Sequence, residues 1–347
     1  MAGDYVSARV GGVHLHHRAE NASCRDDFQR FAATAPQPPP ADVLELDDVI
    51  FCNGGHWACL YDRDGRRIEA AALVRYDENF TPQFWRAAPT LPNTKVALTI
   101  AEPVVYAGVF FSHWGHFLLE SAARLWAMRE RPELGRLAAL HTWRPARPPA
   151  SIDAFLAAAD LRAPVAEGGR IRLAKCFVPT PAFAYQGYAD PRHLLAPHGV
   201  ARRLLKSAAC DERPVYLSRG RVQGSAADRV RVRNEAELEA RLGERGALVV
   251  HMQDLTLSEQ IALMNGRRTF IGLWGSAMHN TLFSLHGPQL STFTLIEDGH
   301  RPANFLLVDR LVGAAAHYLY TVHASGDGAW AIDVEATLAY LGAAGAL

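Results

Sequence analysis

The sequence predicts an α/β protein of two domains, one of them built on a parallel sheet. Three observations lead there. The chain has 347 residues, and roughly 150 residues per domain suggests two. Its composition, 49% apolar and 21% charged, is that of a folded globular protein and excludes disorder, collagen, coiled coil and a disulfide scaffold. Beyond residue 205, apolar runs with strand character alternate with helical runs of roughly a dozen residues, the pattern of right-handed βαβ units.

Residues 1–40 are polar and close on Pro36-Gln37-Pro38-Pro39-Pro40, a stiff extended stretch expected to precede the folded body. The runs DDVIFCNGG, HWACLYDRDGRRI and KVALTIAEPVVYAGV read as strands and hairpins, with Asp62-Arg63-Asp64-Gly65 as a turn. From Ser112 to Arg129, apolar residues at Trp114, Phe117, Leu118, Ala122, Leu125 and Trp126 predict one helix. Periodicity lapses where Pro191, Pro197 and Gly199 accumulate, which places an inter-domain linker within 185–200. PVYLSRG is then a strand ending in Arg219, and Asn234 with Glu237 is an N-cap pattern opening the helix EAELEARLGERG. ALVVHM (strand), LSEQIALMNG (helix), RTFIGLWG (strand into a glycine turn), SAMHNTLFSLHG (helix) and LSTFTLIE (strand) complete the alternation. The expected organisation is a polar segment 1–40, an N-terminal domain 41–190, a C-terminal Rossmann-like domain 200–325 and a closing helix 328–347.

Thirty-six basic and 36 acidic residues cancel, and 33 of the basic residues are Arg against Lys95, Lys175 and Lys206. With the alanine tracts, this bias fits a GC-rich genome. No clustered basic stripe points to nucleic acid. Cys24, Cys52, Cys59, Cys176 and Cys210 form no CxxC pair, which argues for a reducing compartment and against a zinc site. The opening residues lack a basic end followed by an apolar core, and no apolar run reaches about 18 residues, so neither a signal peptide nor a spanning helix is expected. A bacterial cytoplasmic protein is the simplest account.

Three constellations carry chemistry. In Ser112-His113-Trp114-Gly115-His116-Phe117-Leu118-Leu119-Glu120, a helix would place His113, His116 and Glu120 on one face. That face suits a general base with an orienting carboxylate, a metal site, or plain helix capping. In Gly272-Leu273-Trp274-Gly275-Ser276-Ala277-Met278-His279-Asn280, a strand meets a helix at glycines, where free amides suit a phosphate or diphosphate. In Tyr216-Leu217-Ser218-Arg219-Gly220-Arg221, guanidinium groups lie at the same sheet edge and would neutralise a diphosphate leaving group. Glu297 ends the last strand within reach of a ribose hydroxyl. Asp62-x-Asp64 has the look of a metal-binding carboxylate pair but sits in a hairpin turn, and His14, His16 and His17 resemble a metal tract in a polar terminus.

In this order, the three constellations resemble glycosyltransferase family 61, which includes bacterial capsular polysaccharide enzymes. FFSHWGHFLLESAARL occupies the place of the family's Tyr/Phe-x-His-Trp/Phe-x-x-Glu helix, and YLSRG, RNEAELEARL, ALVVHMQDLTLSEQIALMNG and GLWGSAMHN follow the C-terminal pattern. Trp274 stands where the family's glycine motif usually carries histidine, so no role of that imidazole transfers. Trp274 offers instead a ring for stacking on a base or sugar.

The resemblance implies a GT-B architecture, two Rossmann-like domains facing a cleft, with an inverting, metal-independent mechanism and no cofactor beyond the nucleotide-sugar donor. It implies catalytic roles for His116 or Glu120 as base with His113 orienting. Donor binding falls to Arg219, Arg221, Trp274, the amides of Gly275, Ser276 and Ala277, Asn280 and Glu297. The implied partners are a nucleotide sugar and a glycan acceptor, lipid-linked in many capsular systems, which would bring the cytoplasmic protein to the inner face of the membrane. Two rivals from other classes are a metal-dependent hydrolase built on His113, His116 and Glu120, and a non-catalytic relative that binds glycans or nucleotides.

Overall fold

A computed structural model of the chain describes residues 5–21, 23–53, 56–144, 149–161, 169–207, 210–221, 232–325 and 329–347. They fall into two units, one of Pro36–Arg203 and the other of Met1–Ala35 with Leu204–Leu347. Both mix strands and helices, so the chain is α/β.

The N-terminal segment departs from the expectation of a polar stretch ahead of the folded body. It forms a hairpin, β1 (Tyr5–Val10) and β2 (Val13–Arg18), followed by helix α1 (Ser23–Thr34). The hairpin turns at Gly11 and Gly12, both at positive φ, where a side chain would be strained. β2 then pairs in parallel with a strand formed by residues 315–324. The histidines of β2 count as polar in a periodicity analysis, yet here they pack as rings. His14 stacks on His317 at 4.4 Å, and His16 lies between Tyr5 at 4.8 Å and Tyr340 at 4.5 Å. The apparent metal tract is thus part of a sheet.

The proline stretch from Pro36 opens the second unit. Its strands are β3 (Val43–Asn53), β4 (Cys59–Tyr61), β5 (Val74–Tyr76), β6 (Pro82–Phe84), β7 (Leu98–Ile100) and β8 (Val104–Phe111). Short helices α2 (Trp114–His116), α3 (Trp126–Glu130) and α4 (Pro132–Gly135) follow, then β9 (Ala138–Arg144), α5 (Ala150–Ala158), β10 (Gly169–Pro179), β11 (Phe183–Ala184), β12 (Tyr188–Ala189) and α6 (Leu195–Leu204). The main sheet runs β4-β3-β10-β8-β9, with β7 also on β10. β8 lies in parallel between β9 and β10, and the β3 pairings are antiparallel, so only part of the sheet is Rossmann-like. β8 is buried along its whole length, as an apolar strand covered on both faces must be.

Asp62–Gly65 is a turn as expected: the Asp62 carboxylate accepts the amides of Asp64 at 2.9 Å and Arg66 at 2.8 Å, which commits it to the backbone. The helix expected over 112–129 is instead broken into α2, a π-turn at Phe117–Ser121, a 3-10 turn at Ala122–Arg124 and α3. The region expected to be a linker, 185–200, is folded. Pro191–Leu194 form a 3-10 turn and α6 follows; Pro197 lies in its first turn, where no helical amide is needed. The two units part at Arg203/Leu204 instead.

The remaining elements are β13 (Val215–Ser218), α7 (Glu235–Glu244), β14 (Leu248–His251), α8 (Leu257–Gly266), β15 (Thr269–Leu273), β16 (Ser291–Glu297), α9 (Ala303–Val312), β17 (Ala315–Ala324), β18 (Trp330–Ile332) and α10 (Val334–Ala343). Residue 328, the expected start of the closing helix, lies outside the described residues. The sheet order is β1-β2-β17-β16-β15-β13-β14, and every pairing from β2 to β14 is parallel. Counting from β13 in chain order this is 2-1-3-4-5, a doubly wound arrangement that reverses direction between β13 and β15.

Two local expectations change. Asn234 does not cap α7 with its side chain; the amide bridges to the backbone of Ile332 in both directions at 2.8 Å and ties the helix start to β18. The helix expected over SAMHNTLFSLHG is a 3-10 turn at Met278–Phe283. Asn265 ends it by donating to the Phe283 carbonyl and accepting the Leu285 amide, drawing the chain into an extended exit.

Candidate active site

In the unit of residues 36–203, the buried strand β8 delivers the chain to Ser112 and His113 at the sheet's carboxyl edge. His113 has extended backbone at the N-terminus of α2, and its carbonyl accepts the Phe117 amide at 2.9 Å. The Ser121 hydroxyl accepts the Phe111 amide at 2.9 Å and fastens the π-turn back onto β8. π-turns recur at functional sites because they re-aim side chains that a regular helix would space evenly. Here the turn brings His116 Nδ1 to 2.6 Å from Glu120 Oε2.

Glu120 is otherwise committed to Arg75. Nε of Arg75 donates to Oε1 at 2.6 Å and Nη2 donates to Oε2 at 2.9 Å, a fork that recognises an ionised carboxylate. The Glu120 side chain is 1% exposed, Arg75 23% and His116 32%. A carboxylate in this state only accepts hydrogen bonds, so the bond from His116 requires the proton on Nδ1. A neutral ring held this way carries its lone pair on Nε2, the atom through which an imidazole takes up a proton. Glu120 accepts from the ring and fixes its orientation. His113 lies edge-on to His116, with ring centroids 5.2 Å apart.

Arg75 and Tyr185 went unnoticed in the sequence. β5 pairs with β6, and Tyr76 N donates to the Tyr185 carbonyl at 2.9 Å, which sets Arg75 beside Tyr185. The guanidinium carbon lies 5.0 Å from the Trp85 ring, 5.4 Å from Phe111 and 5.2 Å from Tyr185. Tyr185 also stacks on His116 at 5.5 Å. A lone arginine in an arginine-rich chain, 45 positions from its carboxylate, carries no sequence signal. The arrangement also weighs against a metal site on His113, His116 and Glu120, because both Glu120 oxygens and His116 Nδ1 are engaged with protein donors and acceptor. Among the described residues no group of three or more His, Cys, Asp and Glu is placed to hold a metal ion.

In the other unit, the doubly wound sheet reverses at β13 and β15, and ligands of such sheets bind at the carboxyl ends of the strands at that reversal. Those ends carry Arg219 and the Trp274-Gly275 turn. Arg219 Nη1 donates to the Trp274 carbonyl at 2.9 Å, and the Arg219 amide donates to Glu235 Oε1 at 2.8 Å. A Cβ on Gly275 would lie 3.6 Å from Arg219 Nη1, in ordinary contact, so the turn runs directly beside the guanidinium. Met278, His279 and Asn280 donate their amides to the carbonyls of Gly275, Ser276 and Ala277, which places 275–277 at the head of the turn, where amides have no partner within the turn itself.

Burial raises the Glu235 carboxyl above its ordinary range, and its oxygen also accepts from Tyr216 at 3.0 Å. Glu235 and Tyr216 thus brace Arg219 from below. Arg221 is exposed and pairs with Asp254 at 2.9 Å. Asn280 is buried and donates to Gln260 at 3.2 Å, so it orders the loop. Trp274 is 7% exposed and belongs to the core, which leaves little of its ring for stacking. His279 is buried with its ring on Phe305 at 4.6 Å.

Glu297 is half-buried at the end of β16, its carboxyl raised by burial, with His300 at 3.5 Å. His300 lies 6.1 Å from the Trp274 ring and is a neighbour the sequence did not single out; its signal is the Asp298-Gly299 turn that follows the strand.

No curated protein sequence matches the chain. The family model for Glycosyltransferase 61 matches residues 114–290, about half of the chain, beginning at α2 and ending before β16. His116, Glu120, Arg219 and the turn from Trp274 to Asn280 fall inside that span, and Arg75, Tyr185's partner on β5, falls outside it. The chain belongs to glycosyltransferase family 61.

Proposed function

We propose that the protein is an inverting, nucleotide-sugar-dependent glycosyltransferase of GT-B type that glycosylates a hydroxyl of a bacterial surface (capsular) polysaccharide or related glycan. In this reading Pro36–Arg203 acts on the acceptor and Leu204–Leu347 binds the donor. His116 Nε2 takes the acceptor proton as the acceptor oxygen bonds to the anomeric carbon. The bond from that carbon to the diphosphate oxygen breaks on the opposite face, and its electron pair leaves with the nucleoside diphosphate.

Arg219, Arg221 and the amides of Gly275, Ser276 and Ala277 neutralise the developing charge, and Glu297 holds the ribose. No metal is assigned a role. The observation that carries the reading is the 2.6 Å bond between His116 Nδ1 and Glu120, which turns Nε2 away from the carboxylate, within a chain of this family.

Two measurements test it. Thermal stabilisation by UDP, GDP, CDP and CMP, each with and without EDTA, identifies the donor class. A nucleotide at about 100 times its Kd adds roughly 2.7 kcal/mol. One stabilising nucleotide, indifferent to EDTA, is expected; stabilisation by none, with EDTA itself lowering the melting point, overturns the reading. With the matching sugar nucleotide, His116→Ala is expected to lose about 10²–10⁴-fold in transfer while remaining folded. Full activity in that variant removes His116 from the mechanism.

A further inference from the structure

We propose that Arg75, which no part of the family match covers, is the positioning residue that sets the charge state of the base. The inference rests on His116 acting as that base. A buried carboxylate 2.6 Å from an imidazole favours the imidazolium, because the ion pair stabilises the protonated ring. A protonated His116 cannot accept the acceptor's proton. Glu120 alone would therefore orient the ring and also draw it toward its charged form.

Arg75 resolves the conflict. Its guanidinium engages both carboxylate oxygens and cancels their charge, while one lone pair of Oε2 still accepts from Nδ1. The ring is held in one tautomer without being drawn into its charged form. The cation is itself held on three rings, Trp85, Phe111 and Tyr185, at 5.0–5.4 Å, which supply attraction without a competing carboxylate.

The other ionisable groups around the pair do not substitute for Arg75. Arg124 comes from the next turn, but its guanidinium is spent on the carbonyls of Ala70, Ala72 and Pro179. Arg86 lies over Trp85. His113 and Tyr185 meet the His116 ring through their own rings.

The test compares wild type with Arg75→Met and Arg75→Lys, by ring-nitrogen NMR of His116 across pH and by the pH dependence of kcat/KM. Wild type is expected to show the proton on Nδ1 alone at pH 7. Arg75→Met is expected to carry protons on both nitrogens there, and the acid limb of kcat/KM moves to higher pH. Its activity falls roughly 10-fold or more at pH 7 and recovers toward wild type near pH 9. Arg75→Lys keeps the charge with fewer bonds and falls between the two; it carries the test alone if the Met variant does not fold.

A His116 ring that titrates identically in wild type and variants overturns the proposal, as does an activity loss that is uniform across pH. The failure of the base reading looks different: the ring responds to Arg75 while His116→Ala stays active.

Discussion

At the residue scale, Glu120 decides most. It is a carboxylate with a 1% exposed side chain and three hydrogen bonds, two from Arg75 and one from His116. Removing one partner of such a buried pair leaves the other charge uncompensated, at a cost of about 3–5 kcal/mol. Glu120→Gln keeps the shape and loses the charge. It is expected to destabilise the unit of residues 36–203 by roughly 3 kcal/mol in urea unfolding. Transfer should fall by about 10²-fold or more, since the amide no longer dictates the Nδ1 proton. Unchanged stability would show that the bidentate contact has no net worth. The pairing of His116 with Glu120 was legible from their residue types and spacing. Which of them would accept a proton in the proposed reaction was not, because that turns on Arg75, whose contact is long-range.

At the element scale, the turn between β11 and β12 controls the aromatic wall of the site. Gln186 has φ 58°, and the Gly187 amide closes the turn on the Ala184 carbonyl at 2.9 Å. A Cβ on Gly187 would lie 2.2 Å from the Tyr76 ring, so the ring or the turn must move. Tyr76 follows Arg75 on β5, and Tyr185 precedes Gln186, so either movement disturbs the Arg75 cage. Gly187→Ala is expected to cost about 1–3 kcal/mol in stability, with a larger fractional loss of activity than that destabilisation explains. A variant matching wild type in both would show that Tyr76 swings aside freely. The sequence signalled the strand β8 that leads into the site, but not the π-turn: the apolar spacing at Trp114, Phe117, Leu118, Ala122, Leu125 and Trp126 fits a regular helix. Ser121 bonding back to β8 is what interrupts it.

At the scale of the whole molecule, buried histidines set the response to acid. Burial pushes His16, His193 and His317 each down to about 4, with the neighbouring imidazoles of His17 and His14 adding to the effect on His16 and His317; His141 and His300 are lowered also. The unfolded chain binds these protons near the ordinary value of 6.5 and the folded chain does not, so stability is present above about pH 6.5 and is lost as pH falls toward 4. Asp309 works the other way. Burial pushes it up to about 6 from 3.8, so its contribution to stability is full below about pH 3.8 and is lost as pH rises to about 6.

Three strongly shifted histidines outweigh one aspartate. The melting temperature is expected to fall between pH 7.5 and 5.0, where each 1 kcal/mol lost lowers it by about 2–4 °C in a unit of this size. A rise over that range would assign the dominant role to Asp309. By itself the sequence determined the α/β class, the β13–β16 alternation, the family motifs and the residue types at both candidate sites, because these reside in local periodicity and short spacings. Only the tertiary structure decided that the N-terminal hairpin joins the C-terminal sheet, that Trp274 and Asn280 are interior, and that Arg75 grips Glu120. Each of these depends on strand pairing or contact between residues far apart in the chain, which no local pattern encodes.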